Sequence, residues 1–214
     1  MVAPESMTTK TRILGLFADL LEYPRSDLDI AATARECREL VAEESPEAAA
    51  LLDEFVAFAE RTPRDTIEEI FSATFDLNAS CHPYVGYHMF GESYPRSLFM
   101  LELKERFRSQ DFDQGIELPD HVGVLLRFLS VCGDPELRDE IARDAVLPTL
   151  DPMTLAPESA PVLEENEGEP PEIFDVGTEY RRVLQALQAV LKTRYGAPQK
   201  LDRVPLPDPE RLVS

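Results

Sequence analysis

An all-α fold, a single-domain helical bundle of seven or eight helices, is what three observations predict for this chain of 214 residues. Apolar residues recur every three to four positions in at least seven segments, the spacing of one buried helix face. Period-two alternation is confined to "TFDL" and "YVGYHMF", both too short to build a sheet. The length fits one domain better than two, and an apolar share of 43% is enough for a proper core.

The elements follow in order. Ile13, Phe17, Leu20 and Leu21 share the face of a first helix, with Thr8 or Thr9 as its cap, and Pro24 stops it. A second helix is expected from about Asp27 to Glu43. Ser45 caps a third, with Pro46 in the first turn, where a missing N–H costs nothing. Leu51, Leu52, Phe55 and Phe58 form its apolar face. Ile67, Ile70, Phe71 and Phe75 mark a fourth. After the stretch "FDLNASCHPYVGYHMFGESYPR", helical spacing resumes with Phe99, Met100, Leu103 and Phe107. Asp120 reads as the N-cap of a helix carrying Val122, Leu125, Leu126 and Leu129. A further helix runs through Leu137 and Ile141. Residues 151–172 hold five prolines and many acids, and are expected to form a flexible exposed loop. The last helix carries Tyr180, Val183, Leu184, Leu187 and Leu191 and ends near Gly196. An extended tail is expected over 197–214.

Composition narrows the function. The net charge is −20, from 41 acidic and 21 basic residues. Such a surface repels nucleic acid and anionic membrane, and it suits a basic partner or serves solubility. Cys37, Cys81 and Cys132 are odd in number and far apart, which gives no disulfide framework and points to a reducing cytoplasm. The N-terminal residues lack the apolar core of a signal peptide, and no apolar run approaches the ~20 residues of a membrane span. A soluble cytoplasmic protein without membrane insertion is expected.

The chemistry-bearing residues crowd into one region. Cys81, His82 and His88 are candidate metal ligands, but two are adjacent and none has the paired spacing of a zinc site. No metal and no cofactor are expected. There is no Gly-x-Ser-x-Gly elbow and no phosphate-binding glycine loop. Glu117 and Asp120 flank a proline beside His121, which could be an acid–base cluster but reads better as a helix cap with solvated neighbours. A binding site fits better than a catalytic one, and no catalytic residue is assigned. Tyr84, Tyr87 and Phe90 offer an apolar surface in a segment that breaks between helices. Asp76, Glu117 and Asp120 supply carboxylates around it, with His121 placed to help position a bound chain. An apolar groove rimmed by carboxylates would take an apolar peptide carrying arginines.

"FDL", an aromatic stretch ending "FGES..R", a helix "L..LK..F" and "ELPDH" opening an apolar helix together resemble the delta-subunit family of respiratory nitrate reductases. More broadly they are similar to the all-helical maturation chaperones of molybdenum enzymes, including those of trimethylamine-oxide and dimethyl-sulfoxide reductases. The likeness is strongest over about residues 65–132. "ELPDH" is similar to the Glu-Pro-x-Asp-His signature of that group, displaced by one residue around the proline. The resemblance implies a chaperone, not an enzyme. Its partner would be the catalytic subunit of a molybdoenzyme, held by an N-terminal twin-arginine or vestigial twin-arginine peptide until cofactor insertion and export or membrane docking. A monomer or a domain-swapped dimer is implied. The alternative is a non-catalytic helical subunit that stays in a respiratory complex.

Overall fold

The computed structural model describes residues 8–75, 81–155 and 177–198. Among these the regular structure is helical and holds no strand. The order is α1 (Thr9–Leu21), α2 (Ile30–Val41), α3 (Pro46–Arg61), α4 (Arg64–Phe75), α5 (Val85–Phe90), α6 (Tyr94–Ser109), α7 (Val122–Val131), α8 (Pro135–Glu140), a π-helical turn (Ile141–Val146), α9 (Leu147–Thr154) and α10 (Thr178–Tyr195). The all-α expectation holds. Elements outnumber the seven or eight expected for two reasons. The aromatic stretch folds its own short helix, α5, and the helix expected through Leu137 and Ile141 runs on as three pieces.

Local chemistry sets the starts and stops. Thr8 Oγ1 accepts the Thr11 N–H at 3.3 Å. Asp29 accepts the Ala32 N–H at 3.0 Å, so α2 starts at Ile30 rather than near Asp27. Ser45 caps α3 as expected, with Pro46 in its first turn. Gly196 ends α10 at φ 83°, a left-handed backbone that a side chain would strain. Pro148 accounts for the π turn. It has no N–H to donate, and in a regular α-helix its ring would press on the carbonyl of Asp144. The chain widens instead, and the Leu147 N–H reaches five residues back to the Ala142 carbonyl. The loop expected over 151–172 begins inside α9, which runs to Thr154. Residues 156–172 and the tail from 199 lie outside the described residues.

The core is built around α1, which packs along α7 and also meets α2 and α10. A glycine lets α1 and α7 approach closely: a Cβ on Gly123 would lie 2.6 Å from the Glu22 Cγ and 3.1 Å from the Leu21 carbonyl oxygen. On the other side α3 packs on α10 and α2 on α3. Tyr180 of α10 is 1% exposed. Its ring meets those of Phe55 at 5.4 Å, Phe71 at 5.3 Å and Phe75 at 5.5 Å, all edge-on. Arg194 closes the far end of α10, gripping Glu44 with two hydrogen bonds of 3.0 and 2.6 Å. Helix α6 sits at the edge of the bundle. It buries Leu103 and Phe107 but leaves Tyr94, Leu98 and Leu101 exposed on its outer side.

Tyr180 thus joins α3, α4 and α10 through one ring. Tyr180→Ala should lower the unfolding free energy by about 3–5 kcal/mol, the range for deleting a large buried aromatic. Tyr180→Phe keeps the ring contacts and should lose less than about 1.5 kcal/mol. Urea denaturation followed by circular dichroism measures both.

Candidate functional site

The aromatic stretch is laced to the start of α7 by its backbone. The Val85 N–H donates to the Asp120 carbonyl at 2.8 Å, and the Val122 N–H donates to the Pro83 carbonyl at 2.8 Å. These two bonds make an isolated antiparallel bridge between Tyr84 and His121. They bring together residues far apart in the chain and fix which side chains face one another.

Inside this bridge lies a buried charge pair. Asp120 is fully buried, and a carboxylate so placed needs a cation. Arg96, from the first turn of α6, donates from Nε to Asp120 Oδ2 at 2.9 Å. Its Nη1 reaches the exposed Glu92 at 2.8 Å, one turn earlier. The guanidinium also lies 5.3 Å from the ring centre of Tyr84 and 5.9 Å from that of Tyr87. Space is tight. A Cβ on Gly86 would lie 2.7 Å from Asp120 Oδ2 and 3.0 Å from Phe99, so a hydrogen is all that fits at this point among the aromatics.

His121 is buried beside this pair. Its Nδ1 accepts the Gly123 N–H at 3.1 Å, which makes His121, not Asp120, the side-chain cap of α7. An accepting Nδ1 leaves the ring neutral with its proton on Nε2. Burial pushes the imidazole down to about 4, opposed by the charge of Glu117 and aided by that of Arg127. Behind it, Arg127 Nη1 holds Glu22 at 3.0 Å and Nη2 reaches the Gln114 carbonyl at 2.9 Å. Burial raises the Glu22 carboxyl above its ordinary range despite the attraction of Arg127.

The expected binding residues divide into two groups. Tyr84, Tyr87 and Phe90 are half-buried, and Glu117 is exposed. The Tyr84 hydroxyl donates to Glu117 Oε1 over 3.4 Å, and Phe90 stacks on Phe99 at 5.7 Å. These four can meet a bound chain at the surface. Asp120 and His121 are corrections: neither stands on a rim. Asp120 is sealed behind the tyrosines as the counter-charge of Arg96, and His121 is taken up by its helix cap. Both can shape the surface without touching what binds there. Asp76 lies outside the described residues. The candidate metal ligands scatter. Cys81 faces the core, with burial pushing its thiol up to about 12. His82 is exposed against the Tyr87 ring at 4.7 Å, and His88 Nε2 donates to the His82 carbonyl at 2.7 Å. No cluster of three or more metal-ligating side chains occurs among the described residues.

Sequence reasoning counted Glu92 among the acids around the aromatic segment but passed over Arg96 and Gly86 as site residues. The signal was there in part. Glu92 and Arg96 have the i, i+4 spacing of a helical ion pair, and a glycine among four bulky neighbours marks a close approach.

Two measurements test this geometry. Asp120→Asn leaves the buried guanidinium with only the exposed Glu92 as counter-charge and should destabilise the fold by up to about 3–5 kcal/mol. The double change Asp120→Leu with Arg96→Met removes both charges and should lose much less. A double-mutant cycle by chemical denaturation reads the difference. The second concerns pH. The His121 ring is depressed in the fold, from an ordinary value near ~6.5. Its contribution to stability is therefore complete above about 6.5 and drains away as pH falls toward about 4. His121→Asn keeps a cap acceptor but cannot titrate, and should flatten that part of the stability–pH curve.

Comparison with known proteins places these features in a family. The family model described as nitrate reductase delta subunit matches residues 39–151, more than half of the chain and all of the aromatic stretch, the Arg96–Asp120 pair and the His121 cap. No curated protein sequence matches. A crystal structure of a protein from Archaeoglobus fulgidus assigned to redox enzyme maturation has the same fold, with a TM-score of 0.54 and 19% identity. The likeness covers 90% of this chain and 99% of that one. By the extent of the family match, the chain belongs to the nitrate reductase delta subunit family.

Proposed function

We propose that this protein is a chaperone for the assembly of a molybdenum-cofactor oxidoreductase of the nitrate reductase type. It acts without catalysis of its own. It holds the N-terminal peptide of the catalytic subunit, twin-arginine or vestigial, before cofactor insertion and export or membrane docking. The family match over residues 39–151 is the observation that carries this reading. The fold shared with a protein assigned to redox enzyme maturation supports it. So does the surface at the start of α7, where half-buried Tyr84 meets the exposed Glu117 and half-buried Tyr87 and Phe90 follow along α5, in a chain of net charge −20. An apolar peptide with arginines would find both its needs there: ring area for its side chains and a carboxylate for its charge.

A second reading has one point in its favour. The family's name is that of a subunit, which suits a helical component that remains in the finished complex. Copurification separates the two. A chaperone is expected to bring down catalytic subunit lacking molybdenum cofactor, most abundantly from cells starved of molybdenum. Stoichiometric recovery with active, cofactor-loaded enzyme would favour the resident subunit. On the chaperone reading, Glu117→Gln should weaken the catalytic subunit's N-terminal peptide by up to about five-fold at low salt, since an exposed ion pair is worth under ~1 kcal/mol. The loss should shrink as salt is added, in calorimetric titrations.

A further inference from the structure

A pocket of about 180 Å³ opens between the α5–α6 pair and the π turn, lined by none of Tyr84, Tyr87 and Glu117. Its floor is apolar: Met89 and Phe99 on one wall, Leu137, Ile141 and Ala145 on the other. Glu102, Glu140 and Asp144 stand at its mouth, with Arg106 beside Glu102. We infer that this pocket is the anchor point for a client segment, taking one leucine- or phenylalanine-sized side chain while an arginine or lysine one helical turn away meets the carboxylates. The inference rests on the chaperone reading and gives that reading a specificity element.

Size is the first support. A dry cavity of about 150 Å³ lined by aliphatic and aromatic groups holds a benzene ring, so this space suits one large side chain and not a whole helix. Buried single anchors of this kind carry much of the binding energy in interfaces. Charge is the second. Glu140 has no ion pair to a described residue. Glu102 is shared with Arg106 at 3.1 Å and Asp144 with Arg143 at 2.7 Å, both exposed pairs that an incoming cation can displace at little cost. The mouth therefore favours a basic neighbour over an acidic one, and the charge of −20 on the whole chain disfavours a second copy as the occupant. Backbone geometry is the third. Ile141, Asp144 and Ala145 all belong to the π turn, whose wider spacing sets the far wall; such turns recur where helices meet ligands.

The probe is a fluorescein-labelled amphipathic peptide of about fifteen residues, made of Leu, Ala and Arg, with a counterpart in which Glu replaces Arg. Fluorescence anisotropy with the full chain should show the basic peptide binding at least about ten-fold tighter than the acidic one. Ala145→Phe fills the pocket and should weaken the basic peptide about ten-fold. Glu102→Lys with Glu140→Lys lies at the surface, where folding is not at risk, and should abolish the preference for the basic peptide. No binding of the basic peptide, or binding indifferent to all of these changes with circular dichroism unaltered, overturns the proposal. So does a gain in affinity on Leu206→Asp with Leu212→Asp, which would give the pocket to the chain's own tail. Concentration-dependent dimers lost on Ala145→Phe would give it to a second copy and overturn it likewise. If the catalytic subunit still copurifies while these peptide tests fail, the chaperone reading stands and the pocket is not its anchor.

Discussion

A carboxylate shut away from water has to be answered by a positive charge, and at the start of α7 that answer comes from Arg96, 24 residues earlier in the chain. The Arg96–Asp120 contact ties α6 to α7 at the point where the backbone bridge ties α5 to α7. Much else follows from it. The guanidinium orders Tyr84 and Tyr87 around itself, so the aromatic surface is a shell over a charge. Gly86 is required because the pair leaves no room for a methyl group. Phe99, one turn after Arg96, packs at the same crowded point and also lines the pocket between α5–α6 and the π turn.

The helices that the sequence makes legible are those with several turns and a clear buried stripe. Thr8, Ser45 with Pro46, and Gly196 are local signals, read from neighbours within a turn, and the structure uses each of them as such. α5 was not legible because six residues are under two turns, too short for a period to show. The π turn had a visible cause in Pro148, but a proline in an apolar run says that the helix must adjust and not how.

The backbone link of the aromatic stretch to the start of α7 was legible as a region and not as a set of contacts. Tyr84 meets Glu117, Tyr87 lies with Tyr84 over the Arg96 guanidinium, and Phe90 packs instead on Phe99. Asp120 and His121 could not be placed correctly from local pattern. An aspartate before an apolar helix looks like a solvated cap, and whether it is buried depends on an arginine that only the tertiary fold delivers. The same holds for His121, whose neutrality comes from burial under Tyr84 and α1 and not from its neighbours in sequence.

The arrangement of contacts also orders the protein's own folding in time. α1 is synthesised before its main partner, α7, which begins at Val122, and α3 before α10, which begins at Thr178. Arg194 and Glu44, joined at the far end, are 150 residues apart. Loops of that size close slowly, and until they do, α3 has α2 beside it but lacks the cover of α10. During synthesis on the ribosome this chain therefore spends most of its emergence with its central apolar faces open. The chain depends on α10 before it can shelter its own core.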